Sequence, residues 1–193
     1  MKMKKRSYTL KKRAESQAET RQRIVEAAVE LHRDVGPLKT SFSMVAERAG
    51  VQRHTLYAHF PDDRSLFMAC SGHNMEQNPM PDAEAWRKIP DSWERLRTAL
   101  GELYAYYAKN EKMTAAVLRD VEVSPVLQEI AKIRRAPVVK SYVEVLGEKL
   151  SAKQKPMLAL ALSFYTWRTL AREGGLTPAA AAGQMAQAIA ASK

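Results

Sequence analysis

Hydrophobic positions recur at helical spacing along almost the whole chain. Ile24, Ala28, Leu31 and Val35 fall at i, i+4, i+7 and i+11, which predicts a helix from about Gln17 with one buried face. Gly36-Pro37 predicts its end, because glycine supplies the terminal turn and proline cannot continue the ladder. Two short helices separated at Gly50 follow, and Pro61 marks the exit from the second. A further helix over about Asp63–His73 carries Leu66, Phe67 and Cys70. These elements describe a compact four-helix head over residues 17–75, preceded by a polar stretch, residues 1–16, without helical periodicity.

Two proline-containing stretches, residues 78–82 and 89–91, interrupt the pattern, and the first is expected to border a larger second domain over 76–193. Asp91 or Ser92 is placed to cap a long helix on which Trp93, Leu96, Leu100, Leu103, Tyr104 and Tyr107 share a face. A helix over about 112–121 comes next. Ser124-Pro125 opens a long helix to about Lys149, with a kink expected at Pro137. A helix from Ser151 through Arg172 closes at Gly174-Gly175, and Thr177-Pro178 opens the last one. No segment alternates like a strand and no hairpin turn is signalled, so the fold class expected is all-α. Met157–Tyr165 is almost wholly apolar, and Ala179–Ala191 is alanine-dominated with Gly183 inside it. Composition leaves two readings of this final pair open, a buried core pair or a homodimer interface.

Charge adds a function class to this picture. Of 31 Lys/Arg and 21 Asp/Glu, thirteen and six lie in residues 1–60, so +7 of the net +10 sits in the first third. That asymmetry suggests the footprint of a polyanion. Seven Lys/Arg between Met1 and Arg13 give residues 1–16 the character of a flexible basic arm, able to follow a phosphate backbone or simply to add non-specific attraction. No apolar stretch of signal-peptide length follows, and no run is long enough to cross a bilayer, so a cytoplasmic protein is expected. With Cys70 alone, no intramolecular disulfide can form.

The segment from Ser41 to Phe60 has the logic of a helix-turn-helix. Ser41 is placed to cap the first helix; Val45, Ala46 and Ala49 face inward, and the small Ala46 admits a close crossing. Gly50 supplies a left-handed turn, Val51 fills the crossing, and Leu56 and Phe60 anchor the second helix. Gln52, Arg53, His54, Thr55, Tyr57 and His59 are left on the outer side. All can donate or accept hydrogen bonds and none is acidic, which suits a helix meant for the major groove of double-stranded DNA.

From Thr20 to Phe67 the sequence resembles the tetracycline-repressor-like (TetR) regulators. The match is carried by Ile24, Ala27-Ala28, Thr40-Ser41, Val45-Ala46, Ala49-Gly50-Val51 and the run Thr55-Leu56-Tyr57-Ala58-His59-Phe60-Pro61. The resemblance implies contacts to bases or phosphates by Thr55 and Tyr57, with His59 near the backbone and Thr40 and Ser41 on it. It implies a homodimer through the last two helices, a palindromic operator and a small-molecule effector bound in the second domain, with release of DNA by a repressor as the usual outcome. Three departures stand out. Gln52 replaces a small capping residue, His54 stands where glycine is common, and Asp63 replaces a lysine, with Arg64 beside it as substitute phosphate contact.

Effector contacts are expected from Trp93, Tyr104, Tyr107, Met113, Val117, Arg119, Phe164 and Trp167, an apolar set with few polar groups. Arg119 is the candidate for an anionic ligand, or pairs instead with Asp120 or Glu122. Each aromatic also has the simpler reading of core packing. No enzyme is expected. His32, His54, His59 and His73 show no metal-ligand or triad spacing, no glycine-rich phosphate loop is present, and Asp120 and Glu122, two apart on a helix, diverge. No cofactor or metal is implied. Two other classes fit parts of the pattern: a nucleic-acid-coating protein without sequence preference, and a helical ligand-binding or catalytic protein with a degenerate head.

Overall fold

A computed structural model describes the backbone of residues 3–192 and the side chains of residues 11–192. Among these residues the fold is helical, without a strand. The helices are α1 (Met3–Asp34), α2 (Phe42–Ala49), α3 (Arg53–His59), α4 (Asp63–Gln77), α5 (Ala83–Arg87), α6 (Ser92–Lys109), α7 (Glu111–Val121), α8 (Pro125–Arg134), α9 (Ala136–Gly147), α10 (Gln154–Ala161), α11 (Phe164–Arg168) and α12 (Pro178–Ala191). A 3₁₀ turn, Pro37–Lys39, joins α1 to α2, and a π-turn, Thr169–Glu173, follows α11.

The chain packs as two compact units, and the division falls inside α7. The first comprises residues 1–77 and 115–130, the second 78–114 and 131–193. The packing thus adds to the head a segment, 115–130, that the sequence division near residue 76 assigns to the second domain.

In the first unit, Ile24, Val25, Ala28 and Leu31 on α1 meet Val45, Ala46, Leu56, Phe60 and Leu66 in one core. Phe67 of α4 packs against Leu127 and Ile130 of α8, with Val121 and Val126 beside them. Two expectations are corrected here. Of the flexible arm expected over residues 1–16, residues 1 and 2 lie outside the described ones and residues 3–16 are helical. Lys, Arg, Ala and Glu are good helix formers and extend a helix already nucleated by its buried part, in a stretch whose sequence shows no apolar periodicity. Val35 is 37% exposed rather than buried, because the helix stops at Asp34 and the turn to Gly36 swings it outward.

The second unit is built on α6. Asp91 caps it, accepting the N–H groups of Trp93 and Glu94, and α12 packs along it. Arg95, 7% exposed, donates to the Ile89 and Val145 carbonyls and ties down the Ile89–Asp91 break. Helix α5, not expected from the sequence, is a short turn capped by Asp82, with Trp86 buried against Tyr142 and donating to Glu102.

Two predicted long helices are broken. Residues 125–149 divide at Arg135, because Pro137 lacks an N–H and its ring crowds the preceding turn. Residues 151–172 divide at Leu162-Ser163. There the Tyr104 and Tyr107 hydroxyls donate to the Ala161 and Leu162 carbonyls at 2.9 and 2.8 Å, and Ser163 caps α11. Side chains from α6 thus satisfy backbone acceptors that a continuous helix would have kept for itself. Among the described residues no helix is long and apolar enough to cross a membrane.

Candidate nucleic-acid interface

The reading element is assembled by local backbone chemistry. Ser41 Oγ accepts the Met44 N–H at 3.2 Å and starts α2. Gly50, at φ 65° and ψ 38°, ends it in the left-handed conformation that glycine adopts without a Cβ penalty. The Val51 N–H returns to the Ala46 carbonyl at 2.9 Å, completing the reversal. Gln52 then begins α3 without a side-chain cap, as its residue type predicts. Leu56 and Phe60 are buried to within 1% and fix α3 from beneath, and the Arg21 guanidinium sits 4.8 Å over the Phe60 ring.

That anchoring decides what faces outward. Gln52, Arg53, His54 and Tyr57 are exposed, while Thr55 and His59 are half-buried. No carboxylate lies on α3. The Tyr57 ring leans on Phe42, centroids 5.0 Å apart, which holds its hydroxyl in a defined place on the surface. Ser41 is exposed at the entry to α2, and Thr40 beside it is half-buried, its hydroxyl donating to the Gly36 carbonyl at 2.8 Å.

Arg64 has a different setting from the rest. It lies in the first turn of α4, and its Nη2 and Nε donate to the Glu129 carboxylate of α8 at 2.6 and 3.2 Å. That hydrogen bond raises the guanidinium pKa and lowers that of Glu129. Asp62 accepts the Ser65 N–H at 2.7 Å, which caps α4 and holds its own pKa down. A carboxylate therefore occupies the helix end that would otherwise attract phosphate.

The expected effector residues divide between the units. Tyr104, Tyr107, Phe164 and Trp167 form one buried aromatic cluster in the second, with ring centroids 5.4 to 6.4 Å apart. Burial raises the pKa of both tyrosines, that of Tyr104 beyond the usual phenol range, while the charge of Arg135 partly offsets the effect at Tyr107. The Trp167 indole N–H is buried without an acceptor among the described residues. Trp93 and Met113 are half-buried in the same unit. Val117 and Arg119 belong to the first unit, where Arg119 pairs with Asp120 at 2.8 Å and donates to the Val35 carbonyl at 3.2 Å.

Asp120 is the residue that sequence reasoning passes over. The sequence offers it only as half of a diverging carboxylate pair or as a partner for Arg119, yet it is 4% exposed and accepts the Leu38 N–H at 2.9 Å. Nothing in the local run Val117-Leu118-Arg119-Asp120 signals a partner 82 positions away. Cys70 is buried and desolvation pushes its thiol up to about 12, so its thiolate is suppressed near neutral pH. Among the described residues no group of three or more His, Cys, Asp or Glu is placed to hold a metal ion.

This geometry agrees with what the chain is similar to. Residues 24–70 match the family model for bacterial regulatory proteins of the tetR family. The chain is 31% identical over 111 residues to the uncharacterized HTH-type transcriptional regulator TtgW of Pseudomonas putida, covering 56% of this chain and 78% of that one. It is 27% identical over 151 residues to the HTH-type transcriptional regulator AcrR of Shigella flexneri, covering 76% of this chain but only 60% of the relative's length. In three dimensions it resembles NalD, the secondary repressor of the MexAB-OprM multidrug efflux pump in Pseudomonas aeruginosa, at TM-score 0.63 and 22% identity, covering 92% of this chain and 97% of that one. The chain belongs to the TetR family of bacterial regulatory proteins.

Proposed function

We propose that the chain is a ligand-responsive, sequence-specific DNA-binding transcription regulator, a repressor released from a palindromic operator by a small-molecule effector. The observation that carries this reading is the outer face of α3. Gln52 just before α3 and Arg53, His54 and Tyr57 on it are exposed hydrogen-bonding side chains, with Thr55 and His59 half-buried beside them. There is no acid among the six, and the helix is locked by Leu56 and Phe60. Repression is the mode named for NalD.

A homodimer through the last helices is part of the proposal. Helix α12 turns Ala181, Ala182, Met185, Ala186 and Ile189 into its own unit, which leaves Ala180, Gln184, Gln187 and Ala191 outward, a face of small or uncharged side chains. Leu160 and Tyr165 are 49% and 46% exposed on the preceding segment, an apolar surface that a second copy would cover. Such a dimer sets two α3 helices roughly 34–36 Å apart for successive major grooves. The effector is read as apolar with few polar groups, drug-like or lipid-like. Binding would release DNA by favouring a state in which the two reading helices no longer match the operator. The protein acts in the cytoplasm on this reading, where its DNA lies.

Selection of bound duplexes from a random pool by the purified chain tests the proposal. Enrichment of an inverted repeat is expected. Recovery of no two-fold site by a pure dimer overturns it, and binding without sequence preference would make the chain a coating protein instead.

A further inference from the structure

We propose that Asp120 is a positioning residue for DNA binding, holding Thr40 and Ser41 in place through the turn from Gly36 to Thr40. The inference rests on the reading of α2 and α3 as the DNA-binding element.

The turn is gripped from both sides. Asp120 Oδ2 accepts the Leu38 N–H at 2.9 Å, and its Oδ1 accepts Arg119 Nε at 2.8 Å. Arg119 Nη2 reaches the Val35 carbonyl at 3.2 Å. One carboxylate and its neighbouring guanidinium therefore hold the carbonyl before Gly36 and an amide after it. Inside the turn, the Thr40 hydroxyl donates to the Gly36 carbonyl at 2.8 Å and the Thr40 N–H to Pro37 at 3.2 Å. The next residue, Ser41, starts α2. The path from α7 to the two residues at the entry of the reading element is short: hydrogen bonds to Val35 and Leu38, then two or three residues of backbone inside a hydrogen-bonded turn.

Gly36 is matched to this approach. Its φ of 100° is a conformation that side-chain-bearing residues rarely adopt, and a Cβ there would run into the Arg119 guanidinium first and lie 2.8 Å from Asp120 Oδ2. The carboxylate is kept ionised. Burial works against it, but hydrogen bonds from Arg119 and the Leu38 amide, with the charges of Arg119 and Lys39, hold its pKa below the usual value. His32 also feels Asp120, and burial lowers its pKa to about 4, so it is neutral near neutral pH.

The contact is better suited to positioning than to holding the head's core together. Leu38 is 48% exposed and its bond to Asp120 is only part-buried, so the turn lies at the edge of the head rather than in its core. Removing Asp120 should free the path of the turn while the Ile24–Leu56–Phe60 core stays packed.

The test is a double-mutant cycle on DNA binding with the full chain, using its selected site and an unrelated duplex of equal length. Asp120→Ala and Thr40→Val are each expected to weaken site binding about tenfold, and the double variant no more than about twofold beyond either, because both act through one turn. Binding of Asp120→Ala to the unrelated duplex should weaken alongside site binding, because Thr40 and Ser41 are read as backbone contacts. Asp120→Asn, which keeps an acceptor for Leu38, should recover most of the loss on both duplexes. Exposed Glu122→Ala serves as the neighbouring control and should bind normally. All proteins are compared well below their unfolding midpoints, so a merely destabilised variant shows itself as a lower midpoint with normal binding. That result overturns the proposal, as do additive losses or equal loss in Asp120→Ala and Asp120→Asn. If Asp120→Ala does not fold, the cycle is run with the exposed Arg119→Ala, which removes the partner of Asp120 and its hold on the Val35 carbonyl, and additive losses again decide against the proposal. A wild-type chain that selects no sequence defeats the functional reading itself, whereas normal site binding by the variants defeats only the role of Asp120.

Discussion

The Arg64 guanidinium of α4 grips the Glu129 carboxylate of α8, its shortest contact 2.6 Å, so the residue expected to touch phosphate is already engaged within its own unit. The side chains are 52% and 46% exposed, which makes the pair weak and displaceable. Glu129→Gln should therefore raise affinity for the selected site by about twofold to fivefold, and Arg64→Ala should reduce the salt slope of binding by about one. A titration series over salt concentration checks both. Unchanged affinity in Glu129→Gln would remove Arg64 from the DNA contacts.

Tyr57 and Thr55 carry the sequence-reading prediction. Tyr57→Phe keeps the ring on Phe42 and removes only the hydroxyl, so the helix should remain in place. Combined with Thr55→Ala, it should lower site binding by about a hundredfold while binding to unrelated DNA changes little. Loss of both kinds of binding together would point to a collapsed head instead.

His32 makes the stability of the head depend on pH. Desolvation lowers its folded pKa from 6.5 to about 4, against a small opposing effect of Asp120, and its ring packs edge-on to Phe67 at 5.4 Å. The unfolded chain therefore binds a proton between those values while the folded one does not, and stability rises with pH across that window. The contribution is complete above about pH 6.5 and is lost toward pH 4, amounting to about 3 kcal/mol. Asp120, whose pKa is depressed below 3.8, loses its contribution only at lower pH. Denaturant midpoints of His32→Leu measured at pH 7 and pH 5 should differ much less than those of wild type.

Tyr104→Phe and Tyr107→Phe each withdraw a donor from a carbonyl at the α10–α11 break. Each should cost about 1–3 kcal/mol in thermal or denaturant unfolding, since the acceptor left behind is buried. DNA binding by the folded variants should be little affected. A cost near zero would mean that the break is stabilised by Ser163 alone.

Deleting residues 1–13 removes seven positive charges from the start of the chain. The plot of affinity against salt should flatten, with little change in which sequence is selected. An unchanged slope would leave the basic segment without a phosphate role.

Much of the reading element was legible because its determinants are local. Ser41 as cap, Gly50 as left-handed turn, Leu56 and Phe60 as anchors and Gln52 as an uncapped start all act within a few residues of where they stand. The helical class follows from the same cause, since apolar spacing and proline–glycine breaks report backbone preferences directly. Helix α1 was only partly legible: its basic start has no apolar periodicity in the sequence, so propensity is the signal there.

An all-helical chain, a helix-turn-helix pattern over residues 41–60 and an acid-free run on α3 can be read from residue order alone. The pairing of Arg64 with Glu129, the closure of Asp120 on Leu38, the packing of 115–130 with the head and the meeting of two α6 tyrosines with the break after α10 emerge on folding. The physical reason is the range of the interactions. Caps, turns and helical faces depend on neighbours within a few residues, whereas these contacts join groups 55 to 82 positions apart whose chemistry is ordinary until folding sets them side by side.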